Sequence, residues 1–453
     1  MASEASRIDQ LESGDLIAEA LKSHAKRVIL YDTYDRYYAG IHAMKFASST
    51  FTQRFGATFQ EFADNLCRKV VNTYKARTIL ESVSAKGQDK ESEDAFRRAR
   101  MDGLQRLVHK DAYLFGDAYV IAWEVDGNVR FYRNKPRVIC PVYDEDSPGD
   151  LLCAVKVWAT KPKDSKKKAL RITVYYKDRC ERYITESEVI SDKPESMSIR
   201  PYEADGQAAI QTHKFERVPV FHFANMAGPG EFGTSAIADV IPLQDALNKA
   251  CFDLFVNGEA TSMAQRWVTG IDVEMGSDGK PKNPFEGKNL WVTGNEDANF
   301  GQLDAGDSEK LLAVVRDFRQ EIGLVSGVPS YYLQTDASIP SGTALMVIEA
   351  PLRDAVEEAQ VLFGNTWEDA FALSLGIEID DCAAIWRDTS PIGMGERLEN
   401  GIKKKVLGWS QRQNQRELGM TDDQIEDMAK ERAEEDAAAV ALAQRTMTRD
   451  PEA

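Results

Sequence analysis

The sequence has little that could carry membrane, metal or redox chemistry. Its longest apolar runs, such as Ala118–Trp123, fall far short of the roughly 20 residues that span a bilayer, so no membrane segment is expected. Met1–Gly14 is polar and acidic and lacks the apolar stretch of a signal peptide, which implies a cytoplasmic start. The six cysteines, Cys67, Cys140, Cys153, Cys180, Cys251 and Cys382, are scattered without a C-x-x-C spacing. They read as reduced, small apolar residues. The five histidines form neither H-E-x-x-H nor a His/Cys cluster, so no metal or other cofactor is assigned. There is no Walker motif, and the serines, Ser341 beside Gly342 included, lack a partnered His/Asp arrangement. The chain is therefore expected not to be an enzyme.

Clustered positive charge is also scarce. The net charge is −17, and the only compact basic runs are Lys161–Lys168 and Lys403–Lys405, which read as a solvated hairpin turn and a helix face. A protein that grips nucleic acid carries a basic face to replace counterions. An acidic surface argues against gripping but not against passage, because it does not trap a sliding duplex.

What is present is a long chain with a change of character along it. At 453 residues it should form about two to four domains. Residues 15–80 carry helical periodicity, with Leu16, Ile17, Ala20 and Leu21 early and Phe59, Phe62, Leu66, Val70 and Tyr74 later. An aromatic loop is expected between them at Tyr31–His42. One helix is expected over 91–115, striped by Phe96, Met101, Leu104, Leu107 and Val108. Residues 117–225 give strand signals: Ala118–Trp123, a turn at Asp126-Gly127-Asn128, and Val129–Tyr132. Leu152–Ala159, Leu170–Tyr176, Cys180–Ile184 and Val218–Phe223 follow. The expectation is an antiparallel meander.

A Gly/Pro loop, Gly228–Gly233, precedes a long helix capped by Thr234 or Ser235 and kinked by Pro242. About 25 residues would make a rod of roughly 37 Å. Short strands are expected at Trp267–Gly270, Ile271–Met275 and Leu290–Val292. A second helix starts near Ser308, an interruption carries Gly327, Pro329 and Ser338–Gly342, and a third long helix runs Thr343–Leu375. The last 60 or so residues read as charged and helical with a polar tail.

Two local patterns look chemical. Gly228-Pro229-Gly230-Glu231-Phe232-Gly233 fits G-x-G-x-x-G, with Asp253 20 residues on, a dinucleotide fingerprint on paper. Proline removes a donor, Glu231 would face the pyrophosphate, and no βαβαβ alternation surrounds it; a domain-linking loop is the better reading. A soluble nucleotide-dependent enzyme built on this loop is the alternative. Asp144–Asp150 starts like a calcium loop, but Val155 stands at the twelfth place and cannot ligate calcium, so a hairpin turn is expected. The order helix, small β insertion, helix, interrupted loop, long helix describes a pillar. Its apolar sides call for neighbouring copies in a ring.

Several segments, in order, resemble those of one family. Tyr37-Tyr38-Ala39-Gly40-Ile41-His42 resembles a Y-Y-x-G-x-H motif and Asn65–Asn72 the helix after it. Asp111–Val120 resembles a segment built around G-D-A-Y-V. Gly233-Thr234-Ser235-Ala236-Ile237 with Leu243-Gln244-Asp245-Ala246-Leu247-Asn248 resembles G-x-S-x-I…L-x-D-A-L-N. Leu407–Met420 and the charged helix after it complete the match, which spans roughly 15–435. The family is that of tailed-phage portal proteins, siphophage type.

The resemblance implies an α+β portal fold in a dodecameric ring at one capsid vertex, through which double-stranded DNA passes without sequence specificity. It implies a wing over 1–234, a stem helix over 235–265, a clip over 266–306, a second stem helix over 307–326 and a tunnel loop over 327–342. The long wing helix and its connection would occupy 343–394, the crown 395–440 and a polar tail 441–453. The tunnel loop would present Ser330, Tyr331, Tyr332, Leu333, Gln334, Thr335, Asp336, Ala337 and Ser338 to DNA. Stem lumen candidates are Asp307, Glu309, Lys310, Asp317 and Glu321, and clip contacts are Trp267, Phe285 and Trp291. Implied partners are other copies of the chain, the terminase large subunit, a head-tail adaptor, and the major capsid and scaffolding proteins, with no membrane. The implied location is the virion, after assembly in the host bacterial cytoplasm.

Overall fold

The computed structural model describes residues 13–43, 45–47, 49, 52–53, 64–161, 168–190, 194, 197–203, 206–262, 266–273, 275–277, 279, 293, 295–302, 307–334, 342–389, 401–406, 408, 410–417, 425–426, 428–434 and 437. It is a mixed α+β fold.

The opening helix α1 (Ser13–Ala39) presents Leu16, Ile17, Ala20 and Leu21 on one side. They are buried against Cys153, Val155, Ile172 and Val174 of the largest sheet. This sheet comprises β4 (Ile139–Tyr143), β5 (Leu151–Thr160), β6 (Ala169–Tyr175), β7 (Arg179–Thr185) and β8 (Ile199–Pro201) in sequential order, with β9 (Ile210–Thr212) also paired to β7. A three-stranded sheet sets β2 (Asp117–Val125) between β3 (Asn128–Asn134) and β10 (Val220–Ala224), all antiparallel.

The main core gathers α2 (Leu66–Arg77), α4 (Met101–Phe115), α5 (Val240–Ser262) and the long helix α7 (Gly342–Leu375). Val70, Tyr113, Phe115, Phe223, Phe363, Trp367 and Phe371 fill it. The short helix α3 (Asp89–Arg98) flanks it. The helix α6 (Ser308–Ser326) runs along α5. Small pairs complete the sheets: β11 (Arg266–Thr269) with β12 (Asn299–Gln302), and β1 (Leu80–Ala85) with β13 (Cys382–Trp386). The short helix α8 (Gln411–Glu417) lies near the C-terminus.

Several expectations need correction. Tyr31–His42 is not a loop: α1 continues to Ala39, because Tyr31 and Tyr37 fall on its buried face. The single helix over 91–115 is two, broken at Ala99-Arg100, where Arg100 takes φ 50. Regular α-helix in α5 begins at Val240, not at Thr234 or Ser235. Pro242 therefore sits in its first turn, where no intrahelical donor is lost and no kink follows. One meander becomes two sheets, and β1 forms at the end of the stretch read as helical and in the gap before the next expected helix. No strand forms over 271–273, and Leu290–Val292 lies outside the described residues. Five of the six cysteines are buried, Cys251 is half-buried, and all are free.

Candidate functional site

The chain's separate motifs meet around the start of α5. At the first node, Gly116 takes φ +87 and Gly233 packs against it so closely that a Cβ on Gly116 would meet the Gly233 oxygen at 2.5 Å. Two glycines at one crossing let two backbones touch. The crossing is tied by Asn225 N–H donating to the Gly116 carbonyl (2.8 Å) and Asn225 Nδ2 to the Thr234 carbonyl (2.7 Å). The Ser235 hydroxyl, expected to cap a helix, instead donates to the Leu114 carbonyl at 2.6 Å.

Beside this crossing, the buried Asp117 carboxylate accepts from Arg27 Nη2 (2.6 Å), Tyr31 OH (2.6 Å), His222 Nε2 (2.9 Å) and Gly233 N–H (2.8 Å). Burial alone would raise the Asp117 carboxyl, but these donors hold it below its ordinary value. Arg27 also donates to the Gly233 carbonyl at 2.9 Å and lies 4.4 Å from the Phe232 ring centre. This geometry answers the dinucleotide reading. The Gly233 amide is spent on a carboxylate, the regular helix starts seven residues later, and β10 before the loop is antiparallel to β2. None of these suits a phosphate site, which needs free amides at a helix N-terminus.

A second node joins the aromatic motif to α5. Tyr37 OH donates to both Asp245 oxygens (2.7 and 2.8 Å), Lys45 lies 3.5 Å from the same carboxylate, and His42 stacks on Tyr37 at 5.1 Å. Asn248 Nδ2 donates to His42 Nδ1, leaving Nε2–H for the Tyr37 carbonyl (3.3 Å). Burial raises the Asp245 carboxyl despite Tyr37 and Lys45. The Gln244 amide accepts from Leu66 N–H (2.8 Å) and Cys67 N–H (3.3 Å) and donates to the Asp64 carbonyl (2.7 Å), so it closes the N-terminus of α2. Asn65 caps the same helix and donates to the Tyr38 carbonyl at 3.0 Å. Sequence reading found these residues through resemblance but gave them no role; the structure makes them the tie between α1, α2 and α5.

A third cluster stands at the root of the segment after α6. Gly327 ends that helix at φ +67, and Ser330–Tyr332 form one 3-10 turn. Arg77 Nη2 donates to Tyr332 OH (2.7 Å) and to both oxygens of buried Glu349 (3.0 and 3.0 Å). Tyr332 OH (3.2 Å) and Tyr331 OH donate to Glu349 Oε1, and the two tyrosine rings stack at 4.7 Å. Leu333 is buried against Gly323, and Gln334 Nε2 reaches the Arg316 carbonyl at 3.2 Å. Of the tunnel-loop candidates, Ser330 is exposed and Tyr331, Tyr332 and Gln334 are half-buried. Thr335, Asp336, Ala337 and Ser338 lie outside the described residues.

Along α6, Glu309, Lys310, Asp317 and Glu321 are exposed. Asp307 is the helix N-cap, accepting from the Glu309 and Lys310 amides (3.2 and 3.3 Å), and it pairs with Lys310 at 3.1 Å. α5 and α6 are joined by Asn257 Nδ2 donating to Ser308 Oγ (2.9 Å). Trp267 on β11 is 43% exposed and covers Gly301 on β12. Phe285 and Trp291 lie outside the described residues. Among the described residues no group of His, Cys, Asp and Glu could hold a metal, and no helix is long and apolar enough to cross a membrane.

The chain is similar to the portal protein of Mycobacterium phage L5, 25% identical over 42% of this chain and 43% of that protein. It is similar to that of Mycobacterium phage D29 at 25% over 39% and 40%. The chain thus matches less than half the length of these curated relatives. Among solved structures it is similar to a chain of the virion of a native gene transfer agent particle, with TM-score 0.47 and 12% identity over 81% of this chain and 94% of that one. A chain from the neck of a native particle computed with C12 symmetry gives TM-score 0.46 and 13% identity over the same shares. A family model described as "Phage portal protein, SPP1 Gp6-like" matches residues 18–438, a span that contains all three clusters above, and the chain belongs to that phage portal family.

Proposed function

We propose that this portal-family chain assembles, ideally as twelve copies, into a ring at one vertex of a tailed-phage capsid, and that its central channel conducts duplex DNA during packaging and ejection. The observation that carries the reading is the apolar surface the single chain leaves uncovered on several elements of its wing and stem. Ile29 and Val347 are each 70% exposed and Leu324 77%, and Val361 and Leu107 add to them. Isolated exposed apolar residues are ordinary, but this many on stem and wing helices fits faces that neighbouring copies cover.

In this reading 1–234 is the wing, α5 and α6 the stem, 266–306 the clip, 327–342 the tunnel loop, 343–394 the long wing helix with its connection, and 395–440 the crown. Trp267, Phe285 and Trp291 serve clip contacts with the terminase large subunit or head-tail adaptor, and the wing meets capsid and scaffolding proteins. Along α6 the acids Glu309, Asp317 and Glu321, with Asp307 beside its capping role, are interleaved with Lys310, Arg316 and Arg319, so the lumen would carry rings of both signs with negative in excess. Such a wall repels phosphate and lets the duplex slide. The tunnel loop, Ser330–Ser338, carries no Lys or Arg and would touch DNA sterically. Particle images of the purified protein test the reading. Annular particles with a central opening are expected; compact single-chain particles would overturn it.

A further inference from the structure

The outer sheet of the wing carries a feature that conduction does not use. Trp158 on β5 pairs in register with Arg171 on β6, and alternation places Lys156 on the same face. The Arg171 guanidinium lies 5.2 Å from the Trp158 ring centre and 5.3 Å from that of Tyr202, and Lys156 Nζ lies 5.1 Å from the Trp158 centre. All four side chains are half-buried. Among the described residues neither cation has an acidic partner, and Arg171 Nε is buried without a hydrogen bond. Burial and the like charge of Arg171 both lower the Lys156 ammonium.

In a chain with 73 acidic side chains, two half-buried cations sharing an indole without a counter-charge are costly. Further cations border them. Exposed Arg200 on β8 continues the face across β7, and exposed Lys161 and Lys168 stand just after β5 and just before β6. Lys168 is answered by Glu188 at 3.5 Å, and exposed Glu203 follows Tyr202; the centre remains uncompensated.

We propose that the Lys156–Trp158–Arg171–Tyr202 face is a docking site for an acidic segment of another polypeptide. A carboxylate can pair with the half-buried Arg171 guanidinium and the Lys156 ammonium, while its apolar neighbours lie along the exposed parts of the rings. Charge complementarity selects the anion, and the geometry selects a polypeptide over nucleic acid. Both rings are already faced by cations, so bases find no open stacking platform. Non-specific duplex binding needs many phosphate contacts and a broad basic field, which a chain at −17 opposes.

The test uses the full-length assembled protein and a fluorescein-labelled Glu-rich peptide containing leucines, read by anisotropy at low salt, with a duplex DNA of similar charge in parallel. The wild type is expected to bind the peptide and not the duplex. Lys156→Gln with Arg171→Gln should weaken peptide binding by about tenfold or more at unchanged thermal midpoint and unchanged particle mass. Arg171→Lys should weaken it less, because the charge remains while the planar fork is lost. If the double variant does not fold, the exposed Arg200→Gln should still weaken binding severalfold. Absence of peptide binding by the wild type, equal binding by the variants, or preference for the duplex at this face would overturn the proposal. So would a fall in particle mass on substitution, which would assign the face to contact between copies. The peptide readout does not depend on DNA conduction, so its failure leaves the channel reading standing.

Discussion

At the scale of single residues, the account turns on buried polar groups whose partners are all supplied by distant segments. Gly116 is the most constrained: Gly116→Ala would place a methyl 2.5 Å from the Gly233 carbonyl at a backbone φ of +87, and both strain and collision act against it. A stability loss of at least about 2 kcal/mol is expected by urea unfolding; a loss within about 0.5 kcal/mol would contradict the crossing. His109 gives a pH test. Its Nδ1–H donates to the Thr78 carbonyl (3.0 Å), its Nε2 accepts from Trp367 Nε1–H (3.0 Å), and burial lowers its imidazole from 6.5 to about 4. Because the folded value lies below the unfolded one, its stabilising contribution is complete above pH 6.5 and drains away as pH falls toward about 4. Between pH 7 and pH 5 the wild type should lose about 2 kcal/mol more than His109→Gln. Parallel pH profiles for the two would show that His109 is not held neutral.

At the scale of elements, the cluster at Glu349 fixes where the segment after α6 is anchored. Arg77→Met removes the donor that joins α2 to Tyr332 and Glu349, leaving a buried carboxylate with only the tyrosine hydroxyls. Chymotrypsin should then cut after Tyr331, Tyr332 or Leu333, bonds that resist it in the wild type. Arg217→Met, which breaks the separate Arg217–Asp369 pair (3.0 Å), should not open them. Cleavage at those bonds in both variants alike would reduce Arg77 to a general stabiliser. The long helix α7 and the stem pair were legible in the sequence because their apolar residues recur at helical spacing over many turns. The break at Arg100 was not, because the stripe of Phe96, Met101 and Leu104 runs through it and only a backbone dihedral marks it. The strand pair of β1 with β13 joins segments about 300 residues apart, a pairing no local window contains. The motif residues Tyr37, Asp117, Gln244 and Asp245 were visible by resemblance, but their mutual contacts depend on tertiary closure.

At the scale of the whole molecule, family membership and the uncovered apolar faces point the same way. A single chain burying two main cores still leaves Ile29, Leu324, Val325, Val347 and Val361 in water, and a closed ring would cover such surface by repeating one contact around an axis. The net charge of −17 per copy makes that assembly sensitive to salt: repulsion between copies is screened over roughly 10 Å at moderate ionic strength, so apolar contacts must supply the cohesion. The most direct measurement is sedimentation of the purified chain over a wide concentration range at moderate salt. The account predicts one large species near the mass of a dozen 50.6 kDa chains, about 600 kDa, persisting on dilution. A chain that remains monomeric at every concentration would contradict it.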